Sequence, residues 1–271
     1  MLVLLEILVI AATILLALYI LSTQGRTGHP GWDALKGWRY AHRGLHDETR
    51  PENSMSAFRA ALEGGYGIEL DIHLLADGNL AVMHDASLKR TAGADVMIEG
   101  LDTQQLSQYR LLGSGEPIPL FREVLELFDG KAPLIVELKP MKGNHAALAE
   151  AACNLLESYP GAYCIESFDP RCIAWLKKNR PHIIRGQLAE QYAKSAPIPW
   201  VIKWALTHQV FNIATRPDFV AYKFADRKNF GNLLARKFWG IQGVTWTLKS
   251  QEDFDTAVKE GWIPIFEGFT P

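Results

Sequence analysis

The residues best suited to chemistry lie between Tyr40 and Asp85: His42, Arg43, the acidic pair Glu69 and Asp71, and His84 followed by Asp85. Glu69 and Asp71 stand two apart inside IELDIHL, a segment apolar and β-branched enough for a strand, so their side chains share one face. Two carboxylates on one face repel each other unless a cation sits between them. A hard divalent cation with oxygen ligands is the natural resident. His84 ends a second apolar run, LAVMHD, behind the turn Asp77-Gly78, which is a hairpin signal. His42 ends RYAH just before Gly44. Ionisable groups therefore gather at strand ends. Taken singly each is ordinary, since a histidine is usually a surface or satisfied core residue and a lone E-x-D fits an exposed edge strand.

Taken in order they form a specific pattern: His42-Arg43-Gly44, Pro51-Glu52-Asn53, Glu69-x-Asp71, Asp77-Gly78 and His84-Asp85. The chain resembles the glycerophosphodiester phosphodiesterase family, which shows HRG, PEN-T, E-x-D, DG and HD in this order. The resemblance covers roughly Trp38 to the C-terminus.

The elements that must position these residues alternate. RYAH is strand 1, NSMSAFRAALEGG a helix with Asn53 as its N-cap, and GIELDIHLL strand 2 with LAVMHD as its hairpin partner. Residues 86–131 break the rhythm as a short insertion followed by a helix from about Leu120 to Phe128. Strands follow at APLIVELKP, YCIESFDP, HIIRGQLAE, PDFVAYKF, QGVTWTLK and IPIFEGF, with helical segments between most of them. The last helix starts at Ser250, with Glu252 and Asp253 in its first turn. Eight strands alternating with helices fit an α/β fold, a (β/α)8 TIM barrel of typical size, about 250 residues, with a small insertion after strand 2. A doubly wound open sheet is the alternative from periodicity alone. The resemblance implies the barrel.

Active sites of such barrels collect at the C-terminal ends of the strands. Strand 3 carries Glu137 and Lys139, again two apart on one face, either as a structural ion pair or as part of a site. With Glu69 and Asp71 present, Glu137 is favoured as a third carboxylate ligand, and the resemblance implies the same. Three carboxylates suit Mg²⁺ or Ca²⁺ rather than a zinc site. Hydrolysis of a phosphodiester needs charge neutralisation, an activated nucleophile and a proton for the leaving oxygen. Arg43 and Lys139 can neutralise the phosphate, and His42 and His84 are the natural acid and base, in an order the residues leave open. The resemblance suggests that the glycerol 2-hydroxyl attacks phosphorus, giving a cyclic phosphate that water opens. Glu52 either orients Arg43 or a histidine from behind or is a plain helix-start carboxylate. Trp246 is either a core residue or, as the resemblance implies, an aromatic near the glycerol. Ser167-Phe168 also matches a family pattern, with Glu166 expected to alternate outward. Leu248-Lys249 and the terminal Thr270-Pro271 depart from the family's usual residues on the substrate side of the pocket.

The 271 residues carry a net charge of −2 and 48% hydrophobic residues, which supports one large core and gives no argument for nucleic acid. Cys153, Cys164 and Cys172 match no metal spacing and read as thiols in a reducing compartment. Residues 2–21 are almost wholly apolar, broken only by Glu6 and Thr13, and about 20 such residues span a bilayer. The run is long for a signal peptide and shows no basic n-region or small-x-small site. The expected organisation is a transmembrane anchor at 1–22, a linker at 23–37 and a barrel at 38–271. Arg26, Lys36 and Arg39 follow the span, which places the barrel in the cytoplasm.

The expected activity is metal-dependent hydrolysis of glycerophosphodiesters to sn-glycerol 3-phosphate and an alcohol. A lysophospholipase D-type enzyme acting on membrane lipids is the close rival, favoured by the anchor. A catalytically inactive membrane-bound binding module is the rival from another class, and the intact His42, Arg43, Glu69, Asp71, His84 and Glu137 argue against it.

Overall fold

A computed structural model describes residues 1–193, 196 and 198–271. Among them, β1 (Tyr40–His42), β2 (Gly67–Leu74), β4 (Leu134–Leu138), β5 (Tyr163–Ser167), β6 (Arg185–Ala189), β7 (Phe219–Lys223), β8 (Gln242–Leu248) and β9 (Trp262–Phe266) pair in parallel and in chain order. β9 returns to β1 through Tyr40↔Ile265 and Ala41↔Phe266, which closes the barrel. β3 (Leu80–Val82) lies antiparallel on β2 as the hairpin partner. The expected (β/α)8 barrel, with its insertion after the second strand, is therefore the fold. The open-sheet alternative fails because a first-to-last strand pairing leaves no edge.

Alternation along the strands makes two cores. Inward residues such as Tyr40, Ile135, Phe219 and Ile265 fill the barrel interior. Gly186 is required there, because a Cβ at that position would lie 2.1 Å from the Phe219 ring. Outward residues such as Ile68, Leu70, Val136 and Ile165 pack under the helices. α2 (Met55–Glu63) contributes Phe58, α3 (Phe121–Phe128) Phe121 and Phe128, α4 (His145–Leu156) Leu148 and α5 (Pro170–Asn179) Leu176, all fully buried. Each such side chain contributes about 1.5–3 kcal/mol relative to exposure.

The N-cap of α2 is Ser54, whose hydroxyl accepts from Ala57 N at 3.1 Å. Asn53, expected in that role, is thereby free for other contacts. α6 (Trp200–Thr207) follows β6, α7 (Phe230–Leu233) runs into a wider turn over Leu234–Phe238, and α8 (Gln251–Lys259) starts at the Ser250 cap, which accepts from Asp253 N.

α1 (Leu2–Ser22) is a single apolar helix whose span lies free of the barrel, and its 21 residues reach about 31 Å, the thickness of a bilayer core. Its last turn rests on the barrel. Trp239 Nε1 donates to Ile20 O at 3.0 Å, and the Tyr19 ring lies 5.8 Å from Trp204 and 6.1 Å from Phe230. The following stretch is anchored too. Arg26 Nη2 pairs with Asp218 Oδ2 at 2.7 Å, and Trp32 and Leu35 are buried in the interior core, at the barrel end opposite the site.

Candidate active site

Two loops at the C-terminal mouth set the geometry. In HRG, Arg43 takes a left-handed backbone (φ 54°) ahead of Gly44 (φ 82°). That turn aims Arg43 N at Glu69 Oε2, 3.2 Å away. In PEN, Asn53 also takes a left-handed backbone (φ 55°), and its N–H donates to Arg43 O at 2.9 Å. Left-handed non-glycine residues are uncommon, and here the two loops hold each other in place. As a result Glu52 meets Arg43 Nη1 at 2.9 Å, while Asn53 Nδ2 donates to Asp71 Oδ2 at 2.9 Å.

Strand register gathers the carboxylates. Asp71 is opposite Glu137, and Glu137 is opposite Glu166, so lateral neighbours on parallel strands point the same way. Glu69, Asp71 and Glu137 are buried, and their oxygens lie within 4.8 Å of one another, a group that could hold a metal ion. Lys139 Nζ sits 3.1 Å from Asp71 Oδ1 and 2.7 Å from Glu137 Oε1. A cluster of oxygen ligands alone fits a hard divalent cation. A second group of comparable spacing, His42, His46 and Glu267, is half-buried and already committed to a His42–Glu267 hydrogen bond.

The electrostatics follow from burial. Burial, then the neighbouring Asp71, Glu137 and Glu166, pushes Glu69 well above the usual carboxylate range. Burial raises Glu137 to about 7, against the pull of Lys139. Burial would also raise Asp71, but Lys139, His84 and Arg43 together hold it below its ordinary value. Lys139 is raised, because Asp71 and Glu137 outweigh its desolvation. One carboxylate is thus fixed as an anion while two others resist ionisation until a cation arrives.

The two histidines are each backed by a carboxylate. His42 Nδ1 is hydrogen-bonded to Glu267, and its Nε2 lies 3.8 Å from Glu69 Oε2. His84 Nδ1 is 2.6 Å from Asp85 Oδ1. Burial lowers both imidazoles, with Glu267 and Asp71 respectively opposing the shift. Arg90 joins the two halves. Its guanidinium reaches Glu52 at 2.7 and 2.8 Å and Asp85 Oδ2 at 2.6 Å, so the residue behind Arg43 and the residue behind His84 share one clamp.

His42, Arg43, Glu69, His84, Glu137, Lys139 and Trp246 line one pocket of about 40 Å³, with Asp71 Oδ2 3.4 Å from Arg43 Nε and Glu52 paired with Arg43 Nη1. Trp246 Nε1 donates to Ala221 O at 3.3 Å, and its ring meets Phe168 edge-on at 5.6 Å.

Four participants escaped the sequence reading. Glu166 faces inward, not outward as expected. It is buried in the pocket wall with Oε2 lacking a hydrogen-bond partner, while Ser167 Oγ caps Leu138 O at 2.8 Å. The signal was register, since Glu166 follows Glu137 laterally. Glu267 and its partner Lys249 (3.1 Å) come from the ends of β9 and β8, and Arg90 from the insertion, where no motif marks them.

Comparison with known proteins bears on the family and the fold. Residues 42–269 match the model of the glycerophosphoryl diester phosphodiesterase family. A glycerophosphodiester phosphodiesterase of Caldanaerobacter subterraneus is 28% identical over 236 residues, covering 82% of this chain and 89% of its own. One from Bacillus altitudinis is 33% identical over 156 residues, 53% of this chain and 63% of its own. Among solved structures, an Oleispira antarctica phosphodiesterase in complex with the product sn-glycerol-3-phosphate superposes with a TM-score of 0.72 at 20% identity, covering 89% of this chain and 95% of its own.

Proposed function

This chain belongs to the glycerophosphoryl diester phosphodiesterase family, and from that premise we propose how its residues hydrolyse a glycerophosphodiester to sn-glycerol 3-phosphate and an alcohol. The observation that carries the reading is one pocket that joins three buried carboxylates, two cationic side chains and two carboxylate-backed histidines.

Glu69, Asp71 and Glu137 would hold Mg²⁺ or Ca²⁺. The ion would supply Lewis acidity and a fixed positive charge beside the phosphate. Arg43, steadied by Glu52, presents a planar guanidinium to two phosphate oxygens, and Lys139 adds a point charge from the end of β4. One histidine takes the proton of the glycerol 2-hydroxyl as that oxygen attacks phosphorus. The other gives a proton to the departing alcohol oxygen. The cyclic phosphate is opened by water with the proton roles exchanged. Glu267 and Asp85 occupy Nδ1 of His42 and His84, so proton traffic falls to Nε2 in each ring, and each carboxylate steadies the imidazolium that forms. Trp246 and Phe168 form an aromatic wall for the glycerol carbons.

The chain divides into an anchor at 1–22, a connecting stretch at 23–37 and a catalytic barrel at 38–271. Arg26, Lys36 and Arg39 favour a barrel in the cytoplasm. Protease added to cells with a sealed inner membrane should leave the barrel intact, and digestion there would reverse the orientation. The activity is tested by screening the purified chain on glycerophosphodiesters for release of sn-glycerol 3-phosphate, and no release from any of them would defeat the reading.

A further inference from the structure

β2 carries a third polar side chain on the face of Glu69 and Asp71. His73 stands two residues past Asp71, so alternation turns it the same way. It is 2% exposed, lies outside the lining of the pocket that gathers His42, Arg43 and His84, and is used by no step of the hydrolysis above. A polar side chain kept in such a place needs hydrogen-bond partners. His73 has two, one on each ring nitrogen. Nε2 lies 3.3 Å from His84 O, and Nδ1 lies 3.4 Å from Glu99 Oε1. A carbonyl oxygen only accepts, so Nε2 carries the hydrogen.

These bonds tie His84 to the rest of the barrel mouth. β2 grips the chain around His84 at two points: Met83 N donates to Asp71 O at 3.0 Å, and His84 O accepts from His73. The backbone before and after the His84 Cα is thereby fixed to the strand that carries Glu69 and Asp71. Asp85 holds the ring itself, through Nδ1 at 2.6 Å. On the other side of His73 the contacts run outward. Glu99 sits in the short turn Ile98–Gly100 of the insertion, where Ile98 N donates to Ala86 O at 2.8 Å, two residues past His84. Glu99 Oε1 also accepts from Asn144 Nδ2 at 3.2 Å, and Asn144 Oδ1 accepts from Met141 N at 2.8 Å. Met141 lies two residues past Lys139. His73 thus stands where the His84 loop, the insertion and the loop behind Lys139 meet.

We propose that His73 is a positioning residue for the hydrolysis. Through His84 O it fixes where the His84 ring projects into the pocket, and through Glu99 it ties that ring to the insertion and to the loop that follows Lys139. This rests on the reading of His84 as an acid–base group. Proton transfer needs its two heavy atoms within hydrogen-bond reach, and a misplacement of about 1 Å can cost about 100-fold in rate. Loss of the His73 donor also leaves the His84 carbonyl without that partner, so the loop gains by turning toward water.

The test uses the full chain and glycerophosphocholine. His73→Leu removes both ring nitrogens and should lower kcat at least about tenfold, with KM changed less than about threefold. His73→Gln, whose side-chain amide can keep a donor on His84 O, should recover most of that loss. In a His84→Ala background His73→Leu should change kcat less than about twofold, because nothing remains for it to position. An undiminished kcat in His73→Leu would overturn the inference. So would the same fold loss in both backgrounds, which would leave His73 a structural residue only. Wild-type turnover in His84→Ala would defeat the reading of His84 and this inference with it. Where His73→Leu does not fold, Glu99→Ala on the partly exposed insertion takes its place in the same two-background comparison. A second measurement does not depend on turnover: amide hydrogen exchange across residues 83–90 should quicken in His73→Leu and not in His73→Gln. Unchanged exchange in His73→Leu would overturn the positioning. Faster exchange in a chain that hydrolyses no glycerophosphocholine would support it and defeat the hydrolytic reading alone.

Discussion

Glu267→Gln tests the least anticipated part of the site. The Glu267 side chain is 21% exposed and its partner His42 13%, and the bond between them is charge-assisted once the imidazole carries a proton. Such bonds contribute about 1.5–3 kcal/mol. Applied to the protonated state of His42, that is about 10- to 150-fold in rate at 1.36 kcal/mol per decade. The expected result is a fall in kcat of about 10- to 100-fold with KM nearly constant, because the bond matters most when His42 holds a proton. The pH profile adds a sign. Burial lowers His42 and Glu267 opposes it. Removing the carboxylate therefore lowers His42 further, and whichever limb of the kcat/KM profile His42 governs should move to lower pH. A steady-state profile on one glycerophosphodiester measures both. A variant with wild-type kcat, or a limb displaced to higher pH, would refute the reasoning.

Other consequences follow from the same geometry. His42→Ala and His84→Ala should each lower kcat at least about 100-fold, and the double variant should fall far short of the product, since both serve one reaction; near-wild-type turnover in either single variant would remove that residue from the mechanism. Glu69→Gln should leave the melting temperature of the metal-free protein within about 4 °C, because burial and its neighbours already favour a neutral Glu69, yet abolish the rise on adding Mg²⁺ or Ca²⁺; a retained rise would place the ion elsewhere. His42 holds Glu267 down at about 2, below its unfolded value. Its stabilisation is therefore complete above about pH 4.3 and lost as pH falls toward 2, so melting curves of wild type and Glu267→Gln should converge across that window. A chain beginning at Gly31 loses Arg26 and leaves the fully buried Asp218 with Arg185 at 3.9 Å, so it should be about 1–3 kcal/mol less stable to urea than one beginning at Gln24; equal stability would make the pair ornamental.

Much of the site was legible because its parts are local. Glu69 and Asp71 must share a face at spacing two, Glu137 and Lys139 repeat the same rule, and glycine after Arg43 announces a turn. The barrel was legible from eight strand signals. What stayed hidden depends on closure and register. Glu267 meets His42 only because β9 returns to β1, which no local spacing reveals. Alternation from the Ser167-Phe168 pattern predicts an outward Glu166, whereas Ser167 bonds the Leu138 carbonyl and lateral pairing with Glu137 turns Glu166 in. Asn53 looked like a helix cap because asparagine often is one. Ser54 takes that role, and Asn53 holds Asp71. The seating of α1 on Trp204 and Trp239 joins residues nearly the whole chain apart.

The central claim is that Glu69, Asp71 and Glu137 hold a divalent cation on which diester hydrolysis depends. The direct measurement is release of sn-glycerol 3-phosphate by the purified chain before chelation, after exhaustive EDTA treatment, and after adding back Mg²⁺ or Ca²⁺, with Asp71→Ala run in parallel. The account predicts that release stops on chelation, returns with one of these ions, and never returns in Asp71→Ala. Undiminished release after complete chelation would contradict it.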